Sequence, residues 1–170
     1  GRRSEADTLI PALIQMMEAV DALVHDANAL SDAAVEGRLA TRADASRHRG
    51  EFRKVVEGVN RTLDAVIGPL RVAADYVDRI AKGDIPAKIT GTYNGDFAAI
   101  KDNLNTCIAA VNLLVGDAGS LAKAAIDGRY EVRADETKHS GDFRKIVAGV
   151  NRTLDAVVVP LQEAAGTVLA

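Results

Sequence analysis

A chain of 170 residues that is 48% apolar, with three Phe, three Tyr and no Trp, has the composition of aliphatic helical packing and not of an aromatic-rich β core. Lysine plus arginine number 21 against 24 aspartate plus glutamate, for a net charge of −3, and no basic block or stripe supplies the footprint of a nucleic-acid binder, so DNA and RNA are not expected partners. The one cysteine, Cys107, excludes an intrachain disulfide framework and a multi-cysteine metal site and fits a reducing compartment, and no apolar run approaches the roughly 20 residues of a membrane span.

Taken in chain order, the pattern opens abruptly at Gly1, Arg2 and Arg3 with no signal peptide, and an apolar stretch near Ile14 to Val20 reads as the tail of a helix. From Val20 onward the sequence repeats. Shifted by 91 positions, Val20–Leu70 aligns with Val111–Leu161 at 30 identical positions out of 51, including GVNRTLDAV at 58–66 and again at 149–157. A weaker period halves that distance. Gly37, Gly83 and Gly128 are each followed by a Gly-acid-Phe triplet, at Gly50-Glu51-Phe52, Gly95-Asp96-Phe97 and Gly141-Asp142-Phe143, and then by Asn60, Asn105 and Asn151. The unit is therefore about 45 residues, present three times, with the first and third copies the closer pair.

Each unit reads as helix, connector, helix. Phe52, Val56, Val59, Leu63, Val66, Leu70, Ala73, Val77 and Ile80 step by four and three, a heptad seam. Leu104, Ile108, Val111 and Val115 continue the rule in the next unit, and Phe143, Val147, Val150, Leu154 and Val157 in the last. Pro69 and Pro160 fall inside these runs. A helix-interior proline costs about 3 kcal/mol and often breaks a helix, but the heptad phase is unbroken across both, which favours joints that are continuous or nearly so.

The connectors GRLATRADASRHRG, GDIPAKITGTYNG and GRYEVRADETKHSG are longer than the roughly 2 to 5 residues that join antiparallel neighbours. They are long enough to travel back along a helix of about 20 Å, which predicts two parallel helices per unit. Within them Leu39 and Ala43, Ile85 and Ile89, Tyr130 and Ala134 recur at four-residue spacing as candidate anchors. Gly37, Gly83 and Gly128 are expected helix stops with a left-handed residue. Glu51, Asp96 and Asp142 lie in the first turn of each second helix, where the helix end favours a negative charge. One apolar seam per helix cannot be covered by two short helices alone, so the expected fold is all-α, with tandem parallel four-helix coiled-coil bundles formed by a homodimer and long helices continuous between units.

Candidate chemistry is sparse. His48 and His139 occupy equivalent connector positions too far apart in the chain to share a metal, and zinc wants three or four ligands. Cys107, near the seam, is expected to behave as a small buried hydrophobe, and Met16 and Met17 as core. No GxGxxG or GKS pattern follows a strand. No catalytic constellation is legible, so neither catalysis, nor a cofactor, nor a metal is expected.

Pro69, the fourteen residues to Gly83, a connector with two hydrophobic anchors, then Asp96-Phe97 and Asn105, resemble a HAMP domain, the parallel signal-relay module of bacterial chemoreceptors and sensor histidine kinases. The resemblance extends over the chain as three linked units at 23–69, 69–115 and 114–161, preceded by the tail of an earlier second helix at 1–22 and followed by the start of another helix at 162–170. It departs from the family pattern in two ways. Asp96 and Asp142 stand where family members carry glutamate, which Glu51 keeps, and Leu23 and Leu114 stand where the family's first-helix proline, matched by Pro69, is expected. The resemblance implies a cytoplasmic, homodimeric, non-catalytic relay, covalently linked to a sensor and an output module. Small seam residues such as Ala73, Ala118, Ala122 and Ala125 are compatible with two helix packings of similar energy. The competing reading is a passive spacer or a small-molecule-binding helical bundle.

Overall fold

The computed structural model describes the backbone of residues 5–168 and the side chains of residues 8–160. Residues 1–4 of the expected leading tail and residues 169–170 of the expected following helix lie outside the described residues. Among the described residues every regular element is helical: α1 (Glu5–Val35), α2 (Gly50–Ala81), α3 (Asp96–Ile126) and α4 (Gly141–Val168), with short 3-10 turns at Ala45–Arg47 and Glu136–Lys138. The chain divides after Val72 into two compact units.

In the first unit, Leu23 and Ala27 of α1 line a cavity with Val56 and Val59 of α2, while Leu30 and Ala34 line one with Leu63 and Ile67. Residue numbers rise together along both helices, so the pair is parallel. Ala33, Val56 and Ile67 are buried between them. In the second unit Ile89, Ile108, Ala124, Val147 and Val158 are buried, with Pro86. His139, just before α4, meets Asp117 of α3, about two and a half turns before α3 ends. The connector has therefore returned along its helix in this unit too.

The helix ends follow from the backbone chemistry of glycine. Gly37 adopts φ +76°; its N–H donates to the Ala34 carbonyl at 3.1 Å and the Arg38 N–H to the Ala33 carbonyl at 2.8 Å. This paired closure satisfies carbonyls that the helix end leaves open. Gly83 and Gly128 repeat it, each with positive φ and the same two bonds. Pro69 and Pro160 lie inside α2 and α4. A proline removes one helical hydrogen bond without forcing the chain apart when flanking packing holds it.

Three expectations about the helices change, the first being that Met16 and Met17 belong to the core: they are 54% and 63% exposed. By length and composition, Thr8–Val35 and α3 both pass as candidate membrane spans, although neither contains a long unbroken apolar run; alanine and valine raise the average while Asp26, Asp32, Asp102 and Asp117 interrupt it. Cys107 is exposed: it lies one position, about 100° of helical rotation, from the fully buried Ile108.

Candidate functional site

The recurring asparagines form the centre of each helix–connector–helix unit. Asn60 on α2 accepts a hydrogen bond from the Ala43 N–H at 3.1 Å and donates one from Nδ2 to the Ala43 carbonyl at 2.8 Å. Asn105 does the same to Ile89, at 2.7 and 3.0 Å, and Asn151 to Ala134, at 3.1 and 2.8 Å. One amide side chain thus satisfies the donor and the acceptor of a connector residue that no strand or helix would otherwise pair. Asparagine is suited to this because its carboxamide carries the same donor and acceptor as a peptide.

The four-residue anchor spacing has two parts. Ala43, Ile89 and Ala134 are the clamped residues, and Ile89 is only 9% exposed. Of the earlier members, Ile85 is half-buried, whereas Leu39 and Tyr130 remain 40% and 54% exposed. In the first and third connectors the backbone clamp, not those side chains, does the holding within one chain.

An arginine adds a second tie. Arg42 Nε and Nη2 both donate to Asp64 Oδ1, at 2.9 and 2.6 Å, while Nη1 donates to the Leu39 and Thr41 carbonyls at 2.8 and 2.6 Å. Arg133 repeats this with Asp155 and the Tyr130 and Val132 carbonyls. The planar guanidinium reaches backbone and carboxylate together, which an ammonium could not do with the same geometry.

A third tie runs to the first helix. His48, 5% exposed, and His139, also 5% exposed, place Nε2 2.7 Å from Asp26 Oδ2 and Asp117 Oδ2. No spacing rule in the sequence pairs these residues; only the equivalence of His48 with His139 hinted at a shared role. Between clamp and histidine, Asp44 accepts from the Ser46 hydroxyl at 2.6 Å and amide at 3.0 Å, capping the 3-10 turn. Asp135 and Thr137 do likewise. The hydroxyl bond holds both carboxyls below the usual carboxylate range, with the amide bond as the next cause. Asp84 is also lowered, by its bond to Arg79.

Glu51 and Asp142 are exposed in the first helical turn and meet Lys54 and Lys145 one turn on, at 2.6 and 2.7 Å; Asp96 occupies the same place on α3 behind Gly95. Of the seam, Val56, Ile108 and Val147 are buried, Phe52, Leu63, Phe97, Leu104, Phe143 and Leu154 are half-buried, and Val59, Val66 and Val150 remain 43%, 42% and 41% exposed. Ile67 and Val158, buried on the inner face, lie off the heptad positions. The helices α2 and α4 therefore have an inner apolar face against their own chain, including the seam residues Val56 and Val147, and an exposed apolar face beside it. An apolar groove of about 330 Å³ opens along α3 and α4, lined by Leu114, Ala118, Leu121, Val147 and Val150 among others. Among the described residues no group of three or more His, Cys, Asp or Glu is placed to hold a metal ion.

Parallel helices tied by a connector that a side-chain amide clamps define a repeated helix–connector–helix module. The family model of the HAMP domain matches residues 47–113 and 138–170, more than half of the chain, and the chain belongs to the HAMP domain family. Both matched stretches begin at equivalent places, in the 3-10 turns ahead of α2 and α4. No curated protein and no solved structure matches it. HAMP domains are signal-transducing linkers of receptors, not catalysts, and occur in the cytoplasmic part of membrane receptors.

Proposed function

We propose that the chain is an array of three HAMP repeats which, as a parallel homodimer in the cytoplasm, passes a conformational state from a covalently linked sensor to a chemotaxis or kinase output module, without catalysis. The observation that carries this reading is the uncovered outer face of the second helices. Val55, Val66 and Leu70 on α2 and Val157 on α4 are each between 42% and 56% exposed, and Val59, Ile146 and Val150, at the edge toward the first helix of their pair, between 41% and 50%. Their spacing is that of a seam, and contiguous apolar stripes of this kind mark an interaction surface. A second copy of the same parallel pair presents the same stripe, which is what a two-fold, self-complementary interface needs. The helix α2, unbroken through Pro69, supports transmission along the array, because coupling needs a joint that does not relax independently.

Light scattering on the chain at micromolar concentration tests the assembly: a dimer mass is expected, and a monomer mass overturns it. Two glycines inserted after Pro69 in the intact receptor test the relay. Output that responds to the sensor as well as in the uninserted receptor overturns the relay in favour of a passive spacer, while a full heptad of helix formers at the same place keeps the phase and is expected to keep much of the response.

A further inference from the structure

We propose that the two outer repeats are locked bodies and that the central repeat is the compliant one, where a change in helix packing is taken up. This rests on reading the chain as three repeats and deepens the relay assigned above. In the outer repeats the connector is tied to both of its helices. His48 to Asp26 and His139 to Asp117, each at 2.7 Å, bind it to the first helix; Arg42 to Asp64 and Arg133 to Asp155, at 2.6 and 2.8 Å, bind it to the second. The histidine side chains are 2% and 1% exposed, with carboxylate partners at 12% and 26%, so displacing the connector leaves a buried polar group without its bond.

In the central repeat every one of these positions is different. Val72 and Tyr93 stand where the aspartate and histidine are, and Lys88 and Ala109 where the arginine and its aspartate are. Neither substituted pair can make the tie. The Tyr93 ring instead folds onto its own connector, 3.2 Å from where a Cβ on Gly91 would lie. The central connector is also one residue shorter between its glycines and has no 3-10 turn. What remains is a local pair at the helix end, Arg79 to Asp84 at 2.7 Å and five residues apart, the Asn105 clamp on Ile89 and the burial of Pro86 and Ile89. Apolar burial is non-directional, so small sliding of the central connector strains only the Asn105 clamp and the local Arg79 pair, whereas in the outer repeats it also stretches the histidine and arginine ties.

Three amides make the comparison within one molecule. The N–H groups of Ala43, Ile89 and Ala134 each donate to an asparagine Oδ1, at 3.1, 2.7 and 3.1 Å; the shorter bond and deeper burial of Ile89 would by themselves slow its exchange, so faster exchange there reports the missing ties. Hydrogen exchange measured by NMR on the 170-residue chain, corrected for intrinsic sequence rates, is expected to be about tenfold or more faster at Ile89 than at the other two. Equal protection at all three overturns the proposal without variants. In Asp26→Ala, exchange at Ala43 is expected to rise toward that of Ile89 while Ala134, whose own tie is intact, stays protected; an unchanged Ala43 overturns the role of the histidine tie. These outcomes are independent of light scattering and of the glycine insertion, so failure of the locked-and-compliant pattern is distinguishable from failure of the dimeric relay.

Discussion

Asn60 holds both backbone polar groups of Ala43, 17 residues earlier in the chain. Replacing it with alanine strands a partly buried N–H and carbonyl together, which costs about 1–3 kcal/mol. Asn60→Asp keeps the acceptor and loses the donor, so its loss is expected to be intermediate at neutral pH. Urea unfolding of both variants checks the order; Asn60→Ala within a few tenths of a kcal/mol of the parent would mean that water replaces the clamp.

Ile85 and Ile89 separate in burial, the second being 9% exposed and the first only half-buried. Full burial of such a side chain contributes about 1.5–3 kcal/mol. Ile89→Ser is therefore expected to lower the melting temperature clearly more than Ile85→Ser. Equal effects would show that the first anchor is covered by something other than its own chain.

Two glycines respond to the same substitution with opposite sign. Gly83 has φ +79°, and a Cβ added there would meet nothing within 4 Å, so Gly83→Ala is penalised by backbone conformation alone, by roughly 1–2 kcal/mol. Gly58 lies inside α2, and an added Cβ meets only the flexible end of Arg61 at 3.7 Å. Gly58→Ala is expected to stabilise by roughly 0.5–1 kcal/mol. Paired thermal melts decide both.

The carboxyls of Asp44 and Asp135 are lowered from 3.8 by the bonds to Ser46 and Thr137. A lowered folded-state value means the cap contributes fully above 3.8 and is lost as pH falls below it through the folded value. Carbon-detected NMR titration is expected to give midpoints below 3.8 for both, and Ser46→Ala is expected to return Asp44 toward it. A midpoint at or above 3.8 in the parent would show that the cap does not form.

The all-helical class was legible because aliphatic residues at heptad spacing and glycines at the helix ends are local signals, each read within a turn or two. Gly37 needs only its own backbone conformation, and Asn60 repeats at a fixed distance from Gly50. What the asparagine holds was not legible, since the four-residue spacing suggested side chains as the anchors and the bonds go to backbone, with Leu39 and Tyr130 left open. The pairing of Asp26 with His48 depends on how far the connector returns along α1, a distance that no periodicity encodes. Ile67 was missed for a related reason: the four-and-three run skips it, although it shares the buried inner face with the seam residue Val56.

The ties between connector and helices have one further property. Those from Asn60, Asn105 and Asn151, from Arg42 and Arg133, and from His48 and His139 all join residues 16 to 22 apart in sequence. Closing such short loops costs little chain entropy and nearly the same in every repeat. A polypeptide whose cross-links are this local has a low contact order and folds quickly, and each repeat can close as soon as its own second helix has been synthesised. A lesion in one connector then slows or weakens the formation of that repeat, while its neighbours on the nascent chain still find all of their partners.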